Sequence, residues 1–255
     1  MKSRSLLVVV FLIFTSVLLA ACNLPSRQTS PSQTPAAPIT APGTSSPIHL
    51  CDSQFFPNAK GDNWEYSGTN TAIGDYTRTD SITSSSDEGF TMETKVSSLT
   101  YSVNYTCTAE GLVAEDPVQQ YAGAILSSPD KPVNIKLGTV SGITLPQKIN
   151  PGDTWQQSAE FEVSSQEMNL NGRLVFDYTA VGYENVTAAS ESYNALRVDA
   201  TIRIQVTGLR IQAGTYTTSI WMAPGVGIVK SQGTSHVPGV DFSDSLELTS
   251  FSPSP

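Results

Sequence analysis

The chain has 255 residues, and its 14 basic and 23 acidic side chains give a formal net charge of −9. The first 51 residues hold three basic residues and no acid, so 11 basic and 23 acidic residues remain, a net charge of −12. An acidic domain lacks the positive surface that non-specific nucleic-acid binding needs, so we expect no nucleic-acid partner. An apolar content of 39% excludes a wholly disordered chain.

The N-terminus has the three parts of a secretory signal. Lys2 and Arg4 supply the positive start, an apolar run follows from Ser5 to Ala20, and small residues end it. The run of about 16 residues is shorter than the roughly 20 that a membrane-spanning helix needs. Residues 1–21 are therefore predicted to be a signal peptide.

The end of this run, Leu19-Ala20-Ala21-Cys22, resembles the lipobox of bacterial lipoproteins. The resemblance implies that the Cys22 thiol receives a diacylglyceryl group and that cleavage before Cys22 leaves it as the new N-terminus. Each buried CH₂ contributes about 0.8 kcal/mol, so two or three palmitate-type chains would anchor the protein stably. We expect it in the cell envelope, on the outer face of the cytoplasmic membrane, with the outer membrane as the alternative. An ordinary signal peptide with a chance cysteine is the other interpretation.

Residues 22–48 are predicted to form a disordered tether behind the lipidated cysteine. From Asn23 to Pro47 the segment is rich in Pro, Ser and Thr and has one charge, so it cannot bury enough apolar surface to fold. Pro-rich chains stay extended at about 3.1 Å per residue, which would hold the following domain away from the bilayer.

Two cysteines, Cys51 and Cys107, remain after Cys22. An even number in an exported domain favours a disulfide, which would connect the entry segment to a strand. The alternative is two separate buried thiols. No Cys or His pair has metal-ligand spacing, so we expect no metal site and no cofactor.

Residues 49–255 are predicted to form a single all-β domain. Alternating or β-branched runs recur with turn signals between them, and in Leu196–Ile204 every second residue is apolar, which places one face on a core. Long successive hairpins indicate a strongly curved antiparallel sheet, a half-barrel or open barrel, with a β-sandwich as the alternative. One short helix is predicted over Pro117–Leu126. The predicted strands are 64–66, 76–81, 90–96, 99–107, 111–115, 155–163, 170–181, 193–205, 209–221, 227–231 and 246–251.

Three tryptophan-containing motifs organise this domain. Gly61-Asp62-Asn63-Trp64 and Gly152-Asp153-Thr154-Trp155 are similar, and each predicts a turn followed by a Trp that opens a strand. They indicate either two related halves or two independent strand starts. In the third motif, Trp221 precedes a tight turn at Pro224-Gly225, and Gly225 and Gly227 allow positive φ or close backbone approach.

Together these motifs resemble those of a group of uncharacterised bacterial lipoproteins and exported domains. That group shares an aromatic-Pro entry with a later Gly and Trp, a central Pro-Gly with Trp, and a late Trp with Gly-Val-Gly. Phe55-Phe56 stands here where Tyr-Phe or Tyr-Tyr is more typical. The resemblance implies a curved antiparallel sheet, distantly like the half-barrels of envelope lipoprotein carriers, and it implies no reaction or ligand.

No catalytic residue is predicted. His236, expected in a loop, could join Asp241 or Asp244 and a serine, but no nucleophile motif accompanies them. The acidic segment 241–244 lacks the spacing of a calcium loop. We therefore expect a non-enzymatic binding or envelope-assembly module, with a lipid or other apolar ligand on the concave face of the sheet or an envelope protein as partner. A hydrolase of cell-wall or glycan polymers is the alternative.

Overall fold

A computed structural model describes residues 50–97, 99–118, 134–164, 169–206, 211–237 and 240–254. The predicted signal peptide and tether lie outside these residues, as does all but the start of the predicted helix Pro117–Leu126. None of the helical structure in the described ranges is long and apolar enough to cross a membrane.

Thirteen strands make up the described structure. They are β1 (Asn63–Asn70), β2 (Gly74–Ser85), β3 (Gly89–Val96), β4 (Leu99–Cys107), β5 (Gly111–Ala114), β6 (Asn134–Gly142), β7 (Leu145–Pro146), β8 (Thr154–Ser164), β9 (Asn169–Ala188), β10 (Glu191–Val206), β11 (Ile211–Ala223), β12 (Gly227–Val237) and β13 (Val240–Ser252).

All thirteen strands belong to one antiparallel sheet in the order β6-β8-β9-β10-β11-β12-β13-β1-β2-β3-β4-β5-β7. The β1–β13 pair joins the two ends of the folded region in the middle of the sheet. The prediction of an all-β, curved antiparallel sheet is confirmed. The β-sandwich alternative is wrong, because the strands form one continuous hydrogen-bonded ladder.

The sheet is open, but its two edges meet where β6 continues into β7. The Ile143 amide donates to the Gln156 carbonyl of β8 at 3.0 Å, and the next amide, that of Thr144, donates to the Leu112 carbonyl of β5 at 2.9 Å. The buried Gln157 side chain strengthens this junction, because it accepts from the Thr144 hydroxyl and donates to the Ala114 carbonyl of β5. These hydrogen bonds connect β8 with β5 and so hold the sheet in its curved shape at this corner.

One face of the sheet is apolar and lies inside the curve. In β10, Leu196, Val198, Ala200 and Ile202 are all buried, as the period of two predicts. Trp64 and Tyr66 continue this face on β1, where buried and exposed residues alternate. The core therefore consists of the concave side of a single sheet folded towards itself.

Several strands are longer than the sequence predicts, and β6 was not predicted. β12 runs on to Val237 and β13 begins at Val240. The missed part of β12, after Ser231, carries Gly233 and Ser235 on its inner face, so it has no apolar alternation to detect. β6 is an edge strand that pairs only with β8. Its apolar residues Ile135, Leu137 and Val140 are only partly buried against the core.

The entry segment before β1 closes one end of the curved sheet. Cys51 and Cys107 form a disulfide that joins this segment to the end of β4. The Gln54 carbonyl accepts a hydrogen bond from the Gly225 amide in the β11–β12 turn at 2.8 Å. The Phe56 ring packs on Phe90, with centroids 5.4 Å apart. The entry segment therefore covers the end of the core that lies beside the β11–β12 turn.

Candidate functional site: a cavity inside the curved sheet

A cavity of about 390 Å³ lies on the concave side of the sheet. This volume is near the lower end of the roughly 300–1,000 Å³ typical of small-molecule sites. Most of its lining side chains are aliphatic or aromatic. They include Tyr66, Met92, Tyr101, Tyr105, Leu112, Leu145, Trp155, Leu174, Tyr178, Val198, Ile202, Ile220, Met222, Ile228, Phe242 and Leu246.

The cavity reaches the surface at the end opposite the entry segment. Ile73 in the β1–β2 turn is 70% exposed and also lines the cavity. Val96 at the end of β3 and Ile204 near the end of β10 lie at the same end. At the other end, Trp64 and Phe56 line the cavity beneath the entry segment. An apolar chain could therefore enter from the turn side with its tip directed towards Trp64.

A buried ion pair interrupts the apolar wall. Arg78 and Asp80 are two residues apart on β2, which places both on its inner face. The Arg78 Nε and Nη2 donate to the two Asp80 carboxylate oxygens, each at 2.9 Å. The Asp80 side chain is 6% exposed and that of Arg78 is 23% exposed. The Thr94 hydroxyl donates to Asp80 at 2.8 Å, and Arg78 lies 5.7 Å from the Tyr66 ring centroid.

A second polar group, centred on Asp244, lies nearer the opening. The Tyr76 hydroxyl donates to its carboxylate oxygens at 3.0 and 3.1 Å, and Asn70 Nδ2 donates at 3.1 Å. The Tyr76 ring lies flat over Gly68, where any side chain would collide with it.

Tyr216 repeats this arrangement on the neighbouring strands. Its ring lies over Gly233 on β12, and its centroid is 6.1 Å from that of Phe242 on β13. Ser235 lies between these two rings, opposite both Tyr216 and Phe242 in register. Its hydroxyl is buried and has no hydrogen-bond partner among the described residues. A buried polar atom without a partner is rare in native proteins, so the Ser235 hydroxyl is a candidate contact for a bound molecule.

Burial governs the ionisation of the cavity tyrosines. Loss of solvent and then the Asp244 carboxylate raise the pKa of Tyr216 to about 12. The same causes raise the pKa of Tyr76 further, and burial followed by Asp80 raises the pKa of Tyr66. Burial also raises the pKa of Tyr101.

These shifts predict alkaline destabilisation. A phenol whose pKa is higher in the folded state contributes stability below its unfolded pKa of about 10, and that stability is lost as pH rises towards the folded pKa. We expect stability to fall steeply above pH 10, with Tyr216 alone contributing about 2 kcal/mol of the loss. Urea unfolding across this pH range measures it. The Tyr216→Phe variant should show a smaller fall, and identical pH slopes for the two proteins would contradict this origin.

The three predicted motif tryptophans occupy different positions around the core. Trp64 is buried and its Nε1 donates to the Val226 carbonyl at 2.6 Å, which ties β1 to the β11–β12 turn. Trp155 is half-buried, donates to the Thr144 carbonyl at 3.1 Å and also lines the cavity. Trp221 donates to Glu184 at 2.8 Å, away from the cavity lining.

The late glycines have the conformations that their turn requires. Gly225 has a φ of 70° and Gly227 a φ of 101°. The Val226 amide donates to the Ala223 carbonyl at 3.1 Å and closes the turn. Gly227 also approaches the Trp64 indole closely, so an added Cβ would lie 3.4 Å from its Nε1. These residues thus have structural roles at the closed end.

The two Gly-Asp-x-Trp segments have the same local structure. The Asp62 amide donates to the Ala59 carbonyl and the Asp153 amide to the Asn150 carbonyl, both at 3.0 Å. Each aspartate also accepts from the amide three residues earlier, at 2.9 Å for Asp62 and 2.7 Å for Asp153. Gly61 and Gly152 have φ of 103° and 94°. Each turn opens a meander, β1 to β5 and β8 to β13.

Of the polar residues considered for catalysis, His236 and Asp241 lie close together on the surface, whereas Asp244 does not join them. The prediction of a loop at His236 is wrong, because this residue lies in β12 opposite Asp241 of β13. The two side chains are 73% and 78% exposed, and His236 Nδ1 lies 3.8 Å from Asp241 Oδ1. Asp244 lines the cavity instead. Within the described ranges no group of three His, Cys, Asp or Glu residues could hold a metal ion.

Sequence reasoning missed the polar groups of the cavity. Arg78-Thr79-Asp80 offered the signal of an ion pair at i and i+2 on one strand face. The small residues Ser231, Gly233 and Ser235 recur with a period of two, which indicates an inner face that leaves space. Neither signal shows by itself which strands face each other.

No protein-family model and no curated protein sequence matches the chain. Solved structures that are similar to it include two bacterial proteins. A protein described as exported, with a YmcC-like fold, from Bacteroides fragilis superposes with a TM-score of 0.51 at 12% identity, covering 79% of this chain and 100% of its own. A protein described as a lipoprotein from Parabacteroides distasonis superposes with a TM-score of 0.52 at 12% identity, covering 79% and 99%. This likeness shows the fold, and the short sequence motifs remain predictions.

Proposed function

We propose that the protein is a cell-envelope lipoprotein that is anchored through Cys22 and binds an apolar ligand in the cavity of its curved sheet. The cavity carries this proposal, because it is open at one end and lined mainly by aliphatic and aromatic side chains. Concave, mostly apolar sites with a few placed polar groups are the usual form of small-molecule sites.

The envelope location has independent support. The lipobox-like segment ends at Cys22, the domain contains a disulfide, and disulfides persist outside the cytoplasm. The solved structures with this fold are described as an exported protein and a lipoprotein. The anchor and the cavity together favour a protein that holds an apolar molecule near a membrane, either alone or for an envelope partner.

We propose binding rather than catalysis because the charged groups of the cavity are engaged in hydrogen bonds with other residues of its wall. Arg78 is paired with Asp80, and Asp244 accepts from Tyr76 and Asn70. A general acid or base must be able to exchange a proton with the substrate. The hydrogen bonds of Asp80 and Asp244 instead direct both carboxylates towards other residues of the cavity wall.

The direct test is extraction of the protein, purified from its own membrane, with organic solvent followed by mass spectrometry. We expect an apolar molecule at a near-stoichiometric ratio beyond the acyl chains attached to Cys22. The Cys22→Ser variant carries no attached acyl chains, so an apolar molecule extracted from it is a bound ligand and not part of the anchor. Repeated preparations with no extractable ligand, and no uptake of added lipid, would contradict the proposal.

A matched pair of variants on β12 tests the location of the ligand. Ser231 lines the cavity opposite Ile220 and Leu246, whereas the next residue, Gln232, is exposed on the other face. We expect Ser231→Trp to fill the cavity and lower ligand occupancy at least fivefold. Gln232→Trp adds the same bulk outside and should leave occupancy unchanged. Equal occupancy in the two variants would place the ligand elsewhere.

A further inference from the structure

The cavity wall near the opening contains one buried hydroxyl without a partner and one net negative charge. Ser235 is 2% exposed and lines the cavity, and its Oγ has no hydrogen-bond partner among the described residues. Asp244 lies on the adjacent strand, opposite Gly233, two residues along β12 from Ser235. Such diagonal neighbours on one sheet face are about 7–8 Å apart. A ligand head group that contacts Ser235 therefore lies beside Asp244.

The positive charge of the cavity is already neutralised. Both carboxylate oxygens of Asp80 accept from Arg78, so the pair presents no free charge to a ligand. Arg78 is also covered by the Tyr66 ring. Among the described residues Asp244 accepts hydrogen bonds only from uncharged donors, those of Tyr76 and Asn70, so none of these residues neutralises its negative charge. The domain around it adds a strongly acidic background, since the chain after residue 51 has a net charge of −12.

Resting on the proposed function, we infer that the ligand is an uncharged single-chain amphiphile whose hydroxyl or carbonyl head binds Ser235, and that Asp244 excludes anionic amphiphiles. The modest volume of the cavity fits one chain better than several. A neutral head satisfies the Ser235 hydroxyl and avoids the cost of desolvating a charged head, a cost that pairing a cation with Asp244 would not offset in full. A carboxylate or phosphate head would be repelled by Asp244, and among the described residues that line the cavity no unpaired cation offsets this repulsion.

The test compares three amphiphiles whose apolar chains have the same length, that of the palmitate-type chains of the predicted anchor. These are 1-monopalmitoylglycerol, palmitate and hexadecylamine, and each is titrated into the delipidated full chain carrying Cys22→Ser. We expect monopalmitoylglycerol to bind at least tenfold more tightly than palmitate at neutral pH, and also more tightly than hexadecylamine. Tighter binding of palmitate or of hexadecylamine would overturn the inference while leaving the proposed function intact. Binding of none of the three would contradict the proposed function itself.

Two variants assign the selectivity to the two residues. Asp244→Asn keeps an acceptor for Tyr76 and removes the charge, so we expect palmitate to bind about tenfold more tightly and monopalmitoylglycerol to be unaffected. Ser235→Ala removes one hydrogen bond, which should weaken monopalmitoylglycerol about fivefold. Ser243→Ala is the matched control, because Ser243 is an exposed serine of β13. Unchanged palmitate binding in Asp244→Asn, or unchanged monopalmitoylglycerol binding in Ser235→Ala, would overturn that residue's role. Circular dichroism confirms that each variant is folded.

Discussion

Replacing both Cys51 and Cys107 by serine is expected to lower the free energy of unfolding by about 4 kcal/mol. The disulfide closes a loop of 56 residues, and its removal frees the unfolded chain from that constraint. The effect extends to the site, because Cys51 holds the entry segment that covers the closed end of the cavity. Without the disulfide, the entry segment is held by the packing of Phe55 and Phe56 and by hydrogen bonds such as that from the Gly225 amide to the Gln54 carbonyl.

Urea unfolding with and without reductant measures this contribution. Reductant should shift the unfolding midpoint of the original protein down to that of the Cys51→Ser, Cys107→Ser variant and should leave the variant unchanged. The same midpoint for the original protein in both conditions would show that the constraint contributes little. Ligand binding by the double variant then reports whether the entry segment must stay in place for the cavity to function.

The sequence was most informative where residues next to each other in the chain decide the structure. In β10 the alternation of Leu196, Val198, Ala200 and Ile202 predicts both the strand and its buried face. Strand starts at the Gly-Asp-x-Trp turns could be predicted for a similar reason, because the turn is closed by local hydrogen bonds. Strand type and curvature thus follow from patterns within single hairpins.

The cavity could not be predicted, because it depends on contacts between strands far apart in the chain. Tyr76 and Asp244 are 168 residues apart and meet only because β1 lies between β13 and β2. The inner face of β12 is polar in sequence and was therefore missed beyond Ser231. Its small residues are explained once the tyrosine ring over Gly233 is seen. A cavity between strands leaves no periodic pattern of apolar residues in the sequence by which it could be recognised.

The buried ion pair gives the second large expected effect. We expect Asp80→Asn to lower the free energy of unfolding by about 3 kcal/mol, because it leaves the Arg78 charge in an apolar wall without its partner. This value is at the low end of the usual range, since the Arg78 side chain is 23% exposed. Urea unfolding at neutral pH measures the change.

A triple variant distinguishes loss of a partner from loss of the pair. Arg78→Met with Asp80→Leu removes both charges, and Thr94→Val removes the hydroxyl that donates to Asp80. Replacing a buried pair by apolar residues of similar volume is often neutral or stabilising, so we expect stability near that of the original protein. A triple variant as unstable as Asp80→Asn would show that the pair itself stabilises the sheet. If stability is retained, the pair is dispensable for folding, and measuring the affinity of this variant for monopalmitoylglycerol tests whether the pair serves the cavity instead.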